Sequence, residues 1–195
     1  MEGNRLIILD RDGVINEDSE DFIKSPEEWH AIPGSLEAIS RLCKAEYRVV
    51  VISNQSGVAR GLLTLNTLNR IHQKMLDQLH AMGGEINAIF FCPHGPDEGC
   101  SCRKPMPGLF NDLQQRLNCS FEGVDALGDS LRDLQAAKSV SANPVLVRTG
   151  KGLKTEAQLE SHELREALGE VPVFDDLAAY VESLRARGIL ELISS

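Results

Sequence analysis

The sequence predicts an α/β protein with a mainly parallel sheet, and two patterns of apolar residues carry this prediction. Short apolar runs rich in β-branched residues, such as residues 6–9 and 48–52, are typical of strands buried on both faces. Longer segments between these runs place apolar residues three and four positions apart, as amphipathic helices do. Strands that alternate with helices form right-handed βαβ units, and such units build a parallel sheet.

The predicted elements follow one another in a regular order. Strands are predicted at residues 5–9, 48–52, 88–92, 124–127, 144–147 and 171–174. Helices are predicted at residues 34–46, from Thr64 to the Gly83-Gly84 pair, from Pro107, from Leu131, at residues 155–168 and at residues 175–187. Proline suits a helix start because its missing N–H needs no partner there, and glycine commonly ends a helix. Residues 149–152, Thr-Gly-Lys-Gly, are predicted to form a flexible turn.

Length, charge and cysteine usage limit the classes of protein to consider. The 195 residues fit one domain, which we expect to span residues 1–195 with a loop, 92–102, inserted after the third strand. A net charge of −9 argues against nucleic-acid and anionic-membrane partners, because these favour a basic surface. The sequence shows no signal-peptide pattern and no apolar run near the ~20 residues that span a bilayer, so we expect a cytoplasmic protein. We also expect a monomer. The odd count of five cysteines argues against a disulfide framework.

Polar residues follow the predicted strands where each strand ends. They are Asp10 and Asp12 after the first strand, Ser53 after the second, Arg103 and Lys104 in the loop after the third, and Asp129 after the fourth, with Asp133 one helical turn further on. The carboxyl ends of parallel strands meet at one edge of the sheet, where ligands bind in α/β proteins. Crowded carboxylates are costly unless a cation neutralises them, and Mg²⁺ takes oxygen ligands that it often shares with a phosphate. The pattern therefore predicts Mg²⁺ and a phosphorylated substrate at this edge.

These residues resemble, in the same order, the four motifs of the haloacid dehalogenase (HAD) superfamily: Asp10-x-Asp12-Gly13, Ser53 at a strand end, Lys104 ahead of a helix, and Gly128-Asp129-x3-Asp133. The resemblance covers most of the chain, residues 5–150. It implies a Rossmann-like three-layer sandwich without a large cap domain. It also implies hydrolysis of phosphate esters through a phosphoaspartyl intermediate, which divides one difficult step into two easier ones.

The superfamily resemblance also implies a role for each residue. Asp10 would attack phosphorus as the nucleophile, and Asp12 would act as general acid and then as general base. Ser53 and Lys104 would hold the phosphoryl oxygens and offset the charge that develops on them. The implied magnesium ligands are Asp10, the backbone carbonyl of Asp12, and Asp129, with Asp133 in the layer behind them.

A second cluster lies in the loop after the third strand, where three thiols and an imidazole fall within eleven residues. The pattern is Cys92-x-His94-x5-Cys100-x-Cys102, which matches a closed tetrahedral zinc site. Four protein ligands leave no open position, so we expect a structural Zn²⁺ rather than a catalytic one. Because the loop ends one residue before Arg103 and Lys104, an ordered loop would also hold these two cations at the edge of the sheet.

Longer matches narrow the resemblance within the superfamily. Residues 10–16, 53–61 and 92–105 are similar to the family of D-glycero-D-manno-heptose 1,7-bisphosphate 7-phosphatases. This similarity implies removal of the C7 phosphate, with the β anomer expected here, in the nucleotide-heptose branch of lipopolysaccharide core synthesis. It also implies contacts with substrate from Asp18, Asn54, Gln55 and Ser56, and from Arg103 to the phosphate that is not cleaved.

Two alternatives stay open from the sequence. One is histidinol-phosphate phosphatase, a related class with the same four motifs and a similar zinc loop. Its substrate carries one phosphate and a cationic imidazole-amine, for which Arg103 is an unfavourable neighbour. The other is a non-catalytic, zinc-containing binding protein on the same fold, although the carboxylates that catalysis needs are present. Residues 18–21 are Asp-Ser-Glu-Asp where many relatives carry Asp-His-Gly-Tyr, and this difference bears on which sugar is accepted.

Overall fold

The centre of the molecule is a sheet of six parallel strands in the computed structural model, which describes residues 5–190. The strand order is β3-β2-β1-β4-β5-β6, so the first strand of the chain lies inside the sheet. The strands are β1 Leu6–Leu9, β2 Arg48–Asn54, β3 Ala88–Cys92, β4 Asp125–Gly128, β5 Asn143–Val147 and β6 Val173–Phe174. The predicted parallel sheet is therefore confirmed.

Helices follow the strands along the chain. Within residues 5–190 they are α1 Ser35–Lys44, α2 Leu65–Ala81, α3 Gly108–Leu117, α4 Leu131–Ser139, α5 Gly152–Gln158, α6 His162–Leu168 and α7 Leu177–Ala186. Helix α2 begins at Thr64, whose hydroxyl accepts a hydrogen bond from the Thr67 N–H. No helix in the described part of the chain is long and apolar enough to cross a membrane.

The two faces of the sheet are covered by different helices, because side chains alternate between the faces along a strand. On one face, Ile7 and Leu9 of β1 belong to a buried apolar cluster that includes residues of α1, α2 and α7. On the other face, Leu6 and Ile8 belong to a second cluster with residues of α3 and α4. The result is the three-layer sandwich that the superfamily resemblance implied.

Two details differ from the sequence predictions. The single helix predicted at residues 155–168 is wrong, because the segment forms α5 and α6. The Ser161 hydroxyl accepts a hydrogen bond from the Leu164 N–H and so caps a new helix inside the segment. The turn predicted at residues 149–152 is present, but hydrogen bonds tie it to the loops that follow β1 and β4, and Gly152 already begins α5.

The connection between β1 and α1 is held against the body of the protein. Trp29 is fully buried in the same cluster as Ile15, and Asn16 forms isolated bridges with Asp12 and Ala31. These contacts bring Asp18 to the carboxyl edge of the sheet, where it lines the cavity described next.

Candidate active site

A cavity of about 360 Å³ lies at the carboxyl ends of the central strands. Most of the residues predicted for the site line it: Asp10, Asp12, Asp18, Asn54, Gln55, Ser56, Arg103, Lys104, Asp129 and Asp133. Ser53 lies buried beside them and accepts a hydrogen bond from Gln55 Nε2 at 2.7 Å. The strand order explains this convergence, because β1 lies between β2 and β4 and the Asp10 N–H donates to the Leu127 carbonyl at 2.9 Å.

Asp10 and Lys104 form the buried ion pair at the base of the cavity. Lys104 Nζ lies 2.8 Å from Asp10 Oδ1 and 2.6 Å from Asp133 Oδ1, and it also donates to the Ile52 carbonyl at 2.7 Å. Burial disfavours the ammonium, but the two carboxylates outweigh burial and raise the pKa of Lys104. Lys104 therefore carries a fixed positive charge beside Asp10, where the oxygens of a phosphate would need it.

The side chain of Asn54 holds the backbone of Lys104. Asn54 Nδ2 donates to the Lys104 carbonyl at 3.1 Å, and the Lys104 N–H donates to Asn54 Oδ1 at 3.0 Å. Both polar atoms of the Asn54 amide, at the end of β2, are thus engaged by the backbone of Lys104. The sequence suggested a contact between Asn54 and substrate, whereas this geometry favours a role in placing Lys104.

Asp12 is held by a set of donors on the other side of Asp10. Its carboxylate accepts hydrogen bonds from Arg11 Nε at 3.0 Å, Asn16 Nδ2 at 2.8 Å and Gln55 Nε2 at 2.9 Å. Burial opposes ionisation, but the Arg11 charge and these hydrogen bonds outweigh it and hold the pKa of Asp12 below its usual range. The resting carboxylate is therefore ionised, and the negative charge of an incoming phosphate favours its protonation.

Arg11 is almost completely buried, and it contacts Gln55 of the site and His72 of α2. Its guanidinium donates to Gln55 Oε1 at 3.1 Å, and its Nη1 lies 3.3 Å from His72 Nε2. Burial and the Arg11 charge lower the pKa of His72 to about 4, so a neutral imidazole accepts the Arg11 hydrogen bond. The sequence indicated only a structural or rim position for Arg11, and its buried network was not predicted.

Three carboxylates face one another beside the Asp10–Lys104 pair. One oxygen from each of Asp10, Asp129 and Asp133 lies within 4.8 Å of the others. Burial is the main cause that raises the pKa of Asp129 to about 8, and repulsion by Asp133 and Asp10 adds to it. Burial is also the main cause that raises the pKa of Asp10 to about 7. The negative charge of Asp10 and Asp129 is thus only partly compensated, and an all-oxygen set of this kind fits a divalent cation such as Mg²⁺.

Asp133 differs from the other two acids because both of its oxygens already have partners. Oδ1 accepts from Lys104 Nζ, and Oδ2 accepts from the Ser130 N–H at 3.0 Å and the Ser130 hydroxyl at 2.6 Å. The bond from the Ser130 N–H is one half of a capping box at the start of α4. Asp133 is thus suited to stand behind the metal ligands, as the resemblance implied.

The four predicted zinc ligands converge in the loop after β3. Sγ of Cys92 lies 3.5 Å from His94 Nδ1 and 3.6 Å from Cys100 Sγ, and Cys102 Sγ lies 3.2 Å from His94 Nδ1. All four ligand atoms lie within 4.8 Å of one another. Sulfurs bound to one tetrahedral Zn²⁺ are about 3.8 Å apart, given a Zn–S bond of ~2.3 Å. The Cys92–Cys100 pair, at 3.6 Å, is close to this spacing, and the Cys92–Cys102 pair, at 3.1 Å, would have to widen to hold the ion.

Three cations at the cavity were not predicted from the sequence: Arg60, Arg132 and Lys151. Arg60 stacks on the Phe22 ring with 5.5 Å between its guanidinium carbon and the ring centroid. Arg103, Arg60 and Arg132 line the same cavity. Burial lowers the pKa of Arg103, and the charges of Arg132 and Arg60 lower it further. Arg60 could have been predicted, because it lies inside segment 53–61, which resembles the family. Arg132 and Lys151 could not, because tertiary packing decides whether their side chains point into the cavity.

This fold and this set of residues define a phosphatase of the HAD superfamily. The sequence profile of the family described as polynucleotide kinase 3 phosphatase matches residues 5–127, and that of the HAD-hydrolase-like family matches residues 101–179. The chain belongs to the family of D-glycero-beta-D-manno-heptose-1,7-bisphosphate 7-phosphatases, as the following relatives show.

The relatives cover nearly the whole chain. The phosphatase of this name from Bordetella bronchiseptica is 54% identical over 184 residues, which are 92% of this chain and 97% of that protein. The one from Pseudomonas putida is 49% identical over 181 residues, 92% of this chain and 99% of that protein. A crystal structure of D,D-heptose 1,7-bisphosphate phosphatase from B. bronchiseptica, complexed with magnesium and phosphate, matches with a TM-score of 0.88 and covers 93% of this chain and 98% of that one.

Proposed function

We propose that this protein removes the C7 phosphate of D-glycero-β-D-manno-heptose 1,7-bisphosphate, with Mg²⁺, through a phosphoaspartyl intermediate. The observation that carries the proposal is the placement of Asp10 beside Lys104 and within one cluster with Asp129 and Asp133. The names of the relatives support the substrate, and the structure solved with magnesium and phosphate supports the metal. The nucleotide-heptose pathway, the single domain over residues 1–195, the cytoplasmic location and the monomeric state stay predictions.

In the first half-reaction, an Asp10 carboxylate oxygen forms a bond to phosphorus while the bond from phosphorus to the C7 oxygen breaks. Protonated Asp12 gives its proton to the departing sugar oxygen. Lys104 and the Ser53 hydroxyl hold the phosphoryl oxygens. Because Gln55 donates to Ser53 Oγ, the hydroxyl proton of Ser53 is available to a phosphoryl oxygen.

In the second half-reaction, Asp12 takes a proton from a water that attacks phosphorus. The bond from phosphorus to Asp10 breaks, and inorganic phosphate and the free carboxylate result. Asp10, the Asp12 backbone carbonyl and Asp129 would hold Mg²⁺, which when bound neutralises charge on the phosphate and between the acids. Asp133 keeps Lys104 in place through the 2.6 Å ion pair.

The same proposal assigns the uncleaved phosphate to the guanidinium cluster of Arg103, Arg60 and Arg132. A second phosphate needs a second cationic site, and a guanidinium fork suits phosphate oxygens. Arg103 also donates to the His94 carbonyl at 3.2 Å, so the cysteine-histidine loop orients it. We propose that this loop holds a structural Zn²⁺. Asp18 and Ser56 line the same cavity and would contact the sugar.

Replacing Arg103 by leucine is expected to lower kcat/KM for the bisphosphate by about 10- to 100-fold, the value of a charge-assisted hydrogen bond. Turnover of a sugar monophosphate should change by less than about 3-fold. This substrate has no uncleaved phosphate, so the variant loses no contact between Arg103 and substrate. Steady-state kinetics on both substrates check this. Arg116→Leu on the exposed face of α3 is the matched control. An equal loss on both substrates contradicts the assignment.

A panel of phosphate esters tests the proposed function as a whole. It contains both anomers of heptose 1,7-bisphosphate, histidinol phosphate and an oligonucleotide with a 3′-phosphate. We expect the highest kcat/KM for the β-bisphosphate, with phosphate released from C7 and the C1 phosphate retained. Arg103 disfavours the cationic histidinol phosphate, and the net charge of −9 disfavours the polyanionic oligonucleotide. A higher kcat/KM for either of these two overturns the proposal.

A further inference from the structure

The segment between β5 and α5 contacts the loops that carry the proposed catalytic acids. We define the β5–α5 turn as residues 149–151. We propose that this turn, together with Thr155 of α5, positions the Asp129 carboxylate and thereby sets the affinity of the site for Mg²⁺. The inference rests on the proposed function, in which Asp129 is a ligand of that ion.

Asp129 is held by two hydrogen bonds from this region. The Lys151 N–H donates to Asp129 Oδ2 at 2.8 Å. The Thr155 hydroxyl, which is buried, donates to the Asp129 backbone carbonyl at 2.8 Å. One bond fixes the rotation of the carboxylate and the other fixes the backbone that carries it. Because Oδ2 is engaged, we expect Oδ1 to be the oxygen that faces a cation beside Asp10.

Two glycines allow the turn to approach Asp129 this closely. A Cβ on Gly150 would lie 2.2 Å from Asp129 Oδ2 and 2.7 Å from Gly13 Cα. A Cβ on Gly13 would also lie 2.2 Å from Asp129 Oδ2. The carboxylate oxygen is therefore enclosed between two backbone segments, and no larger residue fits at either glycine without moving it.

The turn also binds the loop that follows the nucleophile. The Thr149 hydroxyl donates to the Gly13 carbonyl at 2.6 Å, three residues after Asp10. The loops after β1, β4 and β5 are thereby tied together around the three acids. Groups that orient metal ligands are worth about 10- to 100-fold in metal affinity, although they never touch the metal.

Gly150→Ala tests the positioning directly. Its Cβ should displace Asp129 Oδ2 and raise the Mg²⁺ dissociation constant by about 10- to 100-fold, measured by calorimetry without substrate. Gly123→Ala is the control, because Gly123 also has a positive φ, +78° against +58°, but has no atom within 4 Å of the added Cβ. The control should keep the parental constant. A folded Gly150→Ala protein with parental Mg²⁺ affinity overturns the inference.

Thr155→Val is a milder variant that keeps the shape of the side chain and removes one hydrogen bond. We expect a rise of about 2- to 12-fold in the Mg²⁺ dissociation constant, and recovery in Thr155→Ser, which restores the hydroxyl. In activity assays the half-saturating Mg²⁺ concentration should rise while kcat at saturating Mg²⁺ stays within about 2-fold. A fall in kcat with an unchanged half-saturating concentration contradicts a positioning role.

Asp129→Asn separates this inference from the function on which it rests. If Asp129→Asn binds Mg²⁺ with parental affinity, the proposed metal site itself is wrong. If Asp129→Asn loses affinity while Gly150→Ala and Thr155→Val keep it, the metal site stands and the positioning inference fails. Loss of affinity in all three, with the Gly123→Ala control unaffected, supports both.

Discussion

Asp10→Asn is expected to abolish Mg²⁺-dependent phosphate release, with kcat lowered by more than about 10³-fold. The amide oxygen of asparagine is a poor nucleophile and cannot form the acyl phosphate on which both half-reactions depend. The variant should keep the fold, because asparagine fills the same space and Lys104 retains the carboxylate of Asp133 at 2.6 Å. Phosphate release under single-turnover conditions, with the heptose bisphosphate as substrate, measures the effect.

The stability of this variant provides an independent check. Burial raises the pKa of Asp10 to about 7, so the folded protein binds a proton there more tightly than the unfolded chain does. At pH 8 the ionised group therefore costs folding free energy in the metal-free protein, and asparagine removes that cost. Asp10→Asn should unfold at the parental temperature or above it.

Asp125→Asn is the matched control, because Asp125 begins β4 at the opposite end of the sheet and bonds to Tyr180 and Asn143. Its activity should stay near the parental level. Unchanged phosphate release by Asp10→Asn overturns the assignment of the nucleophile. It also revives the non-catalytic alternative if the parental protein shows no turnover above background.

Cys102→Ser is expected to release about one zinc ion per chain and to lower kcat/KM by about 100-fold. The binding free energy of a structural Zn²⁺, roughly 10–16 kcal/mol in small zinc sites, stabilises the folded form of the segment that binds it. The loop should therefore unfold locally when the metal is lost. Arg103 and Lys104 follow Cys102 directly, and a misplacement of about 1 Å in a catalytic group can cost ~10²-fold in rate. Elemental analysis and steady-state kinetics on the same preparation measure both effects.

The control for this prediction is Cys119→Ser, because Cys119 is a half-buried thiol against the α3–α4 side of the core, away from the zinc ligands. It should retain zinc and activity. Thermal unfolding of Cys102→Ser shows whether the rest of the sheet persists, as we expect from its separate apolar clusters. Full activity in a zinc-free Cys102→Ser protein shows that the loop does not place the two cations.

The site residues that could be predicted from the sequence are those that lie at the carboxyl end of a strand. Asp10, Ser53 and Asp129 follow apolar runs, and parallel strands bring such positions together whatever the intervening helices contain. The cysteine-histidine spacing is similarly local, because its four ligands lie within one loop. The HAD resemblance adds the order of the motifs, and the comparisons confirm the family.

The remaining contacts depend on how distant loops meet. Nothing local in Thr-Gly-Lys-Gly shows that the Lys151 N–H will reach Asp129, because this contact requires β4 and β5 to pair. The two hydrogen bonds between the Asn54 side chain and the Lys104 backbone depend in the same way on how the cysteine-histidine loop folds. The division of residues 155–168 into two helices was not predicted, because the segment was interpreted as one charged surface helix despite the capping residue Ser161.

The position of β1 inside the sheet has a consequence for biosynthesis. The strand that carries Asp10 is made first, but its neighbours β2 and β4 emerge later, and Asp129 comes after both. Pairing between parallel strands so distant in sequence is slow, since a long loop must close before any contact forms. A nascent chain thus presents its nucleophile long before it can hold a cation. We therefore expect a chain that stops before Asp129 to release no phosphate.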